Sequence, residues 1–373
     1  MPKINTGHFL MGCRLDVWLR LLRENGFSIA KDRVPEALLI TGVSTLLAPF
    51  ALAEKLIYQK RIAAAVPARD PVYILGHWRS GTTYLQNMLA QDTQFAWADP
   101  VNTVLMPCSL LLGGALKKAV ARGLEGGRPM DNVQYSLQSP MEETFALLTV
   151  STHSVIDMLA FPAAWERYLS EAFLEDLPPE ARQEWRRAYT YVIQKLTYAH
   201  GGRQLLLKSP DNTAHVAELH ALYPEARFIN IHRDPYETIR STIHMFRSQM
   251  ERQQLGPAPE NLDEIIEDAV VEIFRRMYRS LFDSERLLPE NRRADIAYTE
   301  FCARPTESLR AIYEQLELPG FEAARPAFEA YAAGQKNYVK NHFTLSPGLC
   351  RKINGSLGFY FERYGYEMRE AAE

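Results

Sequence analysis

The sequence predicts an α/β fold: a P-loop-like parallel β-sheet flanked by α-helices, preceded by a helical N-terminal extension. Three observations carry that prediction. An apolar run, PVYIL, leads into the glycine loop GHWRSGTT and then into a helix-spaced segment whose apolar positions are Tyr84, Leu85, Met88 and Leu89. From residue 204 onward, short β-rich runs alternate with helix-spaced ones, an order that sets parallel strands between helices. The composition, 47% hydrophobic and 23% charged over 373 residues, is that of a globular chain long enough for a large α/β domain.

Along the chain, residues 1–66 read as helices without a catalytic signature. Within them ALLITGVSTLLAPFALA, residues 37–53, carries no charge. It is shorter than the ~20 apolar residues of a spanning helix, and Gly42 and Pro49 interrupt it. Three readings fit: a buried or hydrophobic helical hairpin, a monotopic membrane contact near a lipophilic substrate, or a true span. Asp70-Pro71 punctuates the chain before a strand at 72–75. Residues 100–160 are mixed in pattern. Pro178-Pro179 opens a helix that runs to Ala199 and stops at Gly201-Gly202. Further strands are predicted at 204–208, 227–232 and 294–298, with helices at 213–222, 235–250, from the loop GPAPENL to 288, and 305–316. Without repeats or low-complexity tracts, residues 67–373 read as one catalytic domain.

The net charge of −3 gives no general attraction to nucleic acid, so any basic site must be local. Cys13, Cys108, Cys302 and Cys350 form no C-x-x-C pair and are expected as free thiols of a reducing cytoplasm rather than zinc ligands. The opening MPKINTGHFLMGCRLDVWLR has no sustained apolar core of a secretory signal, and a cytoplasmic location is expected.

GHWRSGTT has the two glycines of a nucleotide loop, Gly76 and Gly81, but Thr82 stands where G-x-x-x-x-G-K-[ST] has its lysine. A strand turning through glycines into a helix gathers backbone N–H groups around an anion, and the helix dipole adds to them. Here the donors are the N–H groups from Arg79 to Thr83 and the hydroxyls of Ser80, Thr82 and Thr83, with Arg79 supplying a charge-assisted bond. A nucleoside triphosphate normally uses the lysine and a metal-binding acid. The next strand, FINIH, runs into Arg233 instead. The expected ligand has fewer phosphates and no metal.

The second cluster is FINIHRDPYETIRST. Asp234 is a natural helix cap and Pro235 a natural first helical residue, so Arg233 falls at the C-terminal end of a strand, where open α/β sheets bind ligands. Ser241, seven residues after the cap, lies about two turns on and faces the same side. Arg233 and Ser241 form a second phosphate site. HRD also opens a protein-kinase loop, but the asparagine position holds Ile239 and no D-F-G follows.

Together the two clusters resemble the sulfotransferases that use 3′-phosphoadenosine 5′-phosphosulfate (PAPS). Arg79-Ser80-Gly81-Thr82-Thr83 is similar to the family's [KR]-S-G-T-T loop for the 5′-phosphosulfate. Arg233-Asp234-Pro235 with Ser241 is similar to its 3′-phosphate motif. A softer match, Ile296 to Pro319, aligns Tyr298 with a tyrosine of the adenine pocket, and Tyr84 with an aromatic that stacks on adenine. The arginine in the first loop and the LLLKSP run look most like the bacterial and tyrosylprotein-type branch. The resemblance implies sulfuryl transfer from PAPS to a hydroxyl or amine. Lys340, in GQKNYVKNHFTL, matches a lysine that folds over the 3′-phosphate in relatives.

In-line transfer builds charge on the bridging oxygen, and preorganised cations there are the main catalytic lever. Arg79 is the first choice for that role and Lys208, at the end of LLLKSP, the second. The histidine base of the animal cytosolic branch has no counterpart, because Pro210 stands there. Three alternatives are Asp99, about where the tyrosylprotein branch has its glutamate, the pair Glu142 and Glu143 beside apolar residues, and His153, with no sequence neighbour to orient it. The apolar runs at 37–53 and 104–112 point to a small-molecule or lipid-like acceptor. The competing readings are a P-loop kinase or NTPase with a decayed loop, and a non-enzymatic membrane-associated binding protein.

Overall fold

The structure, a computed structural model, describes residues 5–124, 136–335 and 344–370. Its strands are β1 (Val72–Leu75), β2 (Phe95–Ala96), β3 (Gln204–Leu207), β4 (Arg227–His232) and β5 (Arg293–Ala297), in one sheet of order β2-β3-β1-β4-β5. The chain divides into two compact units, one of residues 1–69, 96–207 and 248–262, the other of residues 70–95, 208–247 and 263–373.

In the second unit β1 and β4 pair in parallel with Val72 opposite Arg227, and β4 and β5 with Phe228 opposite Arg293. VYIL is buried along its whole length and FINIH likewise, the continuous apolar pattern of parallel strands covered on both faces. Tyr73 and Phe228 stack across the β1–β4 pair at 5.4 Å. The expected α/β alternation is observed, with helices at Thr82–Leu89, Val216–Leu222, Pro235–Gln253 and Pro305–Gln315. The last predicted strand ends one residue early, and Tyr298 instead heads the helix Tyr298–Ala303.

The first unit is helical, built on Leu15–Glu24, Val34–Ala63, Ser109–Leu124 and Pro179–Ala199. The apolar stretch is not a hairpin but one continuous helix of 30 residues, with Pro49 inside it. Proline removes one hydrogen bond, to the carbonyl four residues earlier. Here that carbonyl belongs to Thr45, and Thr45 and Pro49 are both exposed, so water can pair the freed group. Other positions fix the helix in the unit. Trp18 Nε1–H donates to Thr41 Oγ1 at 2.8 Å, and buried Glu54 accepts from the Leu111 N–H at 3.0 Å and from the buried Lys195 ammonium.

Candidate active site

Several strands hand over directly to a residue of the predicted site: β1 to Gly76, β3 to Lys208, β4 to Arg233 and β5 to Tyr298. Strand ends are where such sheets bind ligands, because helix starts and loop N–H groups collect there.

The first loop requires both its glycines. Gly76 has φ +133°, and a Cβ on it would sit 2.4 Å from the Ile231 carbonyl oxygen and 2.7 Å from Ser80 Oγ. Gly81, at φ +108°, precedes the helix Thr82–Leu89, and a Cβ on it would lie 2.4 Å from the Tyr298 ring. Left-handed backbone and close approach coincide at both positions. The turn is pinned by Gly76 N–H donating to Thr213 Oγ1 at 2.8 Å and by Ser80 N–H donating to the His77 carbonyl at 3.1 Å. His77 is buried 4.9 Å from the Phe274 ring, and burial pulls its pKa down to about 3, so the imidazole adds no charge. Ser80 Oγ is buried and has no hydrogen-bond partner among the described residues. Such a hydroxyl is unfavourable until something accepts its proton, and the oxygen of a bound anion fits that need.

The second cluster meets the first. Arg79 Nε donates to Ser241 Oγ at 3.0 Å, across 162 residues of sequence. Arg233 Nη1 donates to the Arg79 carbonyl at 3.2 Å, and its guanidinium lies 4.7 Å over the Tyr298 ring. That ring in turn covers Gly81. Arg79, Ser241, Arg233, Tyr298 and Gly81 therefore form one connected group. Arg79 itself has φ +70°, uncommon for a residue with a side chain, and two hydrogen bonds hold it there. Tyr84 offers a partly exposed ring 5.0 Å from Phe301, and burial raises its hydroxyl pKa to about 12. Lys208 is 2% exposed.

Some supporting residues carry no sequence signal. Tyr360, from the helix Gly358–Tyr364, donates to the Arg233 carbonyl at 2.9 Å. Arg369 Nη2 donates to Asp234 Oδ2 at 2.9 Å, while Asp234 Oδ1 caps its helix through the Glu237 N–H at 3.1 Å. Only Thr213, close after KSP, lies near a motif in the chain.

The candidate bases lie in the other unit. Asp99 caps the helix Pro100–Val104, with Oδ1 accepting from the Val101 and Asn102 N–H groups at 2.9 and 3.1 Å. Its Oδ2 accepts from Asn102 Nδ2 at 2.6 Å and lies 3.6 Å from His200 Nε2. Glu142 precedes the helix Glu143–Leu148, and Glu143 is fully buried, accepting from the Tyr189 hydroxyl at 3.2 Å. His153 is oriented after all, by Glu171 at 3.0 Å and Glu184 at 3.2 Å, both remote in sequence. Burial pulls its pKa down, but the Glu171 hydrogen bond and charge outweigh that and the net shift is upward. Lys340 lies outside the described residues.

The sulfotransferase family profile matches residues 71–323 of this chain. Two curated relatives, both named omega-hydroxy-beta-dihydromenaquinone-9 sulfotransferase Stf3, come from Mycobacterium bovis and Mycobacterium tuberculosis. Each is 30% identical over 358 residues, spanning 96% of this chain and 91% of its own. Among solved structures, sulfotransferase STF1 from Mycobacterium tuberculosis covers 91% of this chain and 90% of its own at TM-score 0.62 and 17% identity. Sulfotransferase STF9 from Mycobacterium avium covers 97% and 99% at TM-score 0.62 and 18% identity. Those two likenesses are of fold.

Proposed function

The chain belongs to the sulfotransferase family, and on that premise we propose that its donor is PAPS and its acceptor a hydroxyl group on a lipid-like molecule. The N–H groups and hydroxyls from Ser80 to Thr83 hold the 5′-phosphosulfate at the start of their helix. Arg233 and Ser241 hold the 3′-phosphate, and Tyr298 and Tyr84 flank the adenine. The orphaned Ser80 hydroxyl and the side-chain-free turn at Gly76 and Gly81 fit this donor.

Transfer is in line. The acceptor oxygen forms a bond to sulfur as the bond from sulfur to the bridging phosphate oxygen breaks, and the adenosine bisphosphate leaves with that electron pair. Arg79 and Lys208 meet the charge that grows on the bridging oxygen. The acceptor oxygen gives up its proton to a general base as the new bond forms.

The observation that carries the donor reading is the hydrogen bond from Arg79 to Ser241. It ties the two phosphate motifs into one group, as a donor with phosphates on the 3′ and 5′ positions of one ribose requires. The acceptor class is supported by the relatives, which are named as sulfotransferases of a menaquinone derivative, a lipid-like alcohol. The test is sulfate transfer from labelled PAPS to a long-chain primary alcohol, set against a sugar. The alcohol is expected to be labelled and the sugar not. Arg79→Ala is expected to lower kcat ~100-fold or more, the effect of losing one preorganised donor at developing charge. Near wild-type turnover in that variant overturns the role given to Arg79.

A further inference from the structure

The helix Val34–Ala63 is locked on one face and bare on the other. Its inner face buries Ala37, Ile40, Ser44, Glu54 and Ile62. Its outer face exposes Leu38, Leu46, Phe50, Leu52, Leu56 and Ile57, with Leu38, Leu46 and Leu56 at 66%, 72% and 69% exposure. At about 100° per residue these six fall within roughly 160° of arc, and the strip runs about 28 Å along the axis. A continuous apolar strip of this kind marks a contact surface, unlike scattered surface leucines.

Charge identifies the occupant. The helix contains two acidic residues, Glu36 and Glu54, and both are buried. The exposed ionisable groups on it are Lys55, Lys60 and Arg61 near its end, with Lys31 exposed just before its start. The one acid there, Asp32, sits 3.5 Å from Arg33. Thus an uncharged strip is bracketed by cations. A second copy fits poorly, because either orientation of two such helices brings the basic ends together. A transmembrane placement fits poorly too. An 18-residue window within Lys31–Ala63 is apolar enough by composition, at mean hydropathy 1.7, but spanning would carry Glu36 and Glu54 into hydrocarbon and strip Lys195 of its partner. A helix with one apolar outward face and basic ends suits the plane of an anionic bilayer surface.

We propose that the outer face of Val34–Ala63 is a monotopic docking surface for a bilayer carrying anionic lipids. It stands on the helix's own surface and gains purpose from the lipid-like acceptor proposed above. Binding is therefore measured without donor or acceptor, so that either reading can fail alone.

The experiment is co-sedimentation of the full chain with vesicles of phosphatidylcholine, alone or mixed with phosphatidylglycerol, at low and high salt. The expected result is binding to the mixed vesicles that weakens with salt. The double variant Leu46→Glu with Phe50→Glu is expected to weaken it about tenfold or more. Lys60→Glu with Arg61→Glu is expected to remove the preference for phosphatidylglycerol. Both pairs are on the surface, so thermal unfolding should match wild type and report that the fold survives. Failure of the wild type to sediment with any vesicle, or equal binding by the Leu46/Phe50 variant, overturns the proposal. So does a wild-type dimer that the same variant converts to monomer, since the strip then serves a second copy.

Discussion

At Gly81 a positive φ and an aromatic ring meet in one atom's worth of space, which gives a sharp prediction. Gly81→Ala places a methyl group 2.4 Å from Tyr298, in backbone that alanine rarely adopts. We expect it to cost about 1–3 kcal/mol of stability, by denaturant unfolding, and to weaken binding of adenosine 3′,5′-bisphosphate (PAP), because Tyr298 must move off both Gly81 and Arg233. Unchanged stability and affinity would mean that the ring does not close over the loop. The sequence makes Arg79, Gly81, Arg233 and Ser241 legible because each motif is contiguous and its chemistry local. That Arg79 bonds to Ser241 is not legible, since the partners are 162 residues apart and only the β1–β4 pairing brings their loops together. His153 follows the same rule: Glu171 and Glu184 reach it from other helices, with nothing in THS to announce them.

Among the elements, the strands and helices of the β-α-β alternation read clearly from sequence. Their apolar runs are buried on both faces, and Pro and Gly mark their ends. The helix Val34–Ala63 read less clearly, because Gly42 and Pro49 look like breaks whose effect depends on whether water reaches them. Its buried ion pair was equally invisible: Glu54 and Lys195 sit 141 residues apart on two helices that look ordinary alone. Burial pulls the Lys195 ammonium pKa down, and Glu54 pushes it back, with the net shift downward. Lys195→Met should therefore destabilise the chain by about 3–5 kcal/mol by leaving Glu54 buried and unpaired. Adding Glu54→Leu should restore most of that loss. Chemical denaturation of the single and double variants checks this, and a single variant as stable as wild type would show that the pair is not dry.

For the whole molecule, the linear division into residues 1–66 and 67–373 describes the order of the chain. The compact units are assembled from separated segments, so that residues 1–69 join 96–207 and 248–262. Pattern and punctuation report on neighbours in sequence, and no local signal says which distant helices share a core. The proposed donor cradle escapes that difficulty, since Gly76 to Thr83, Arg233, Ser241 and Tyr298 all fall in one unit. Calorimetric titration with PAP, in the presence of a chelator, tests that cradle most directly. We predict one PAP bound per chain, with affinity reduced about tenfold or more in Arg233→Ala, as loss of a charged phosphate contact entails. No binding of PAP, with binding of ATP and magnesium instead, would contradict it.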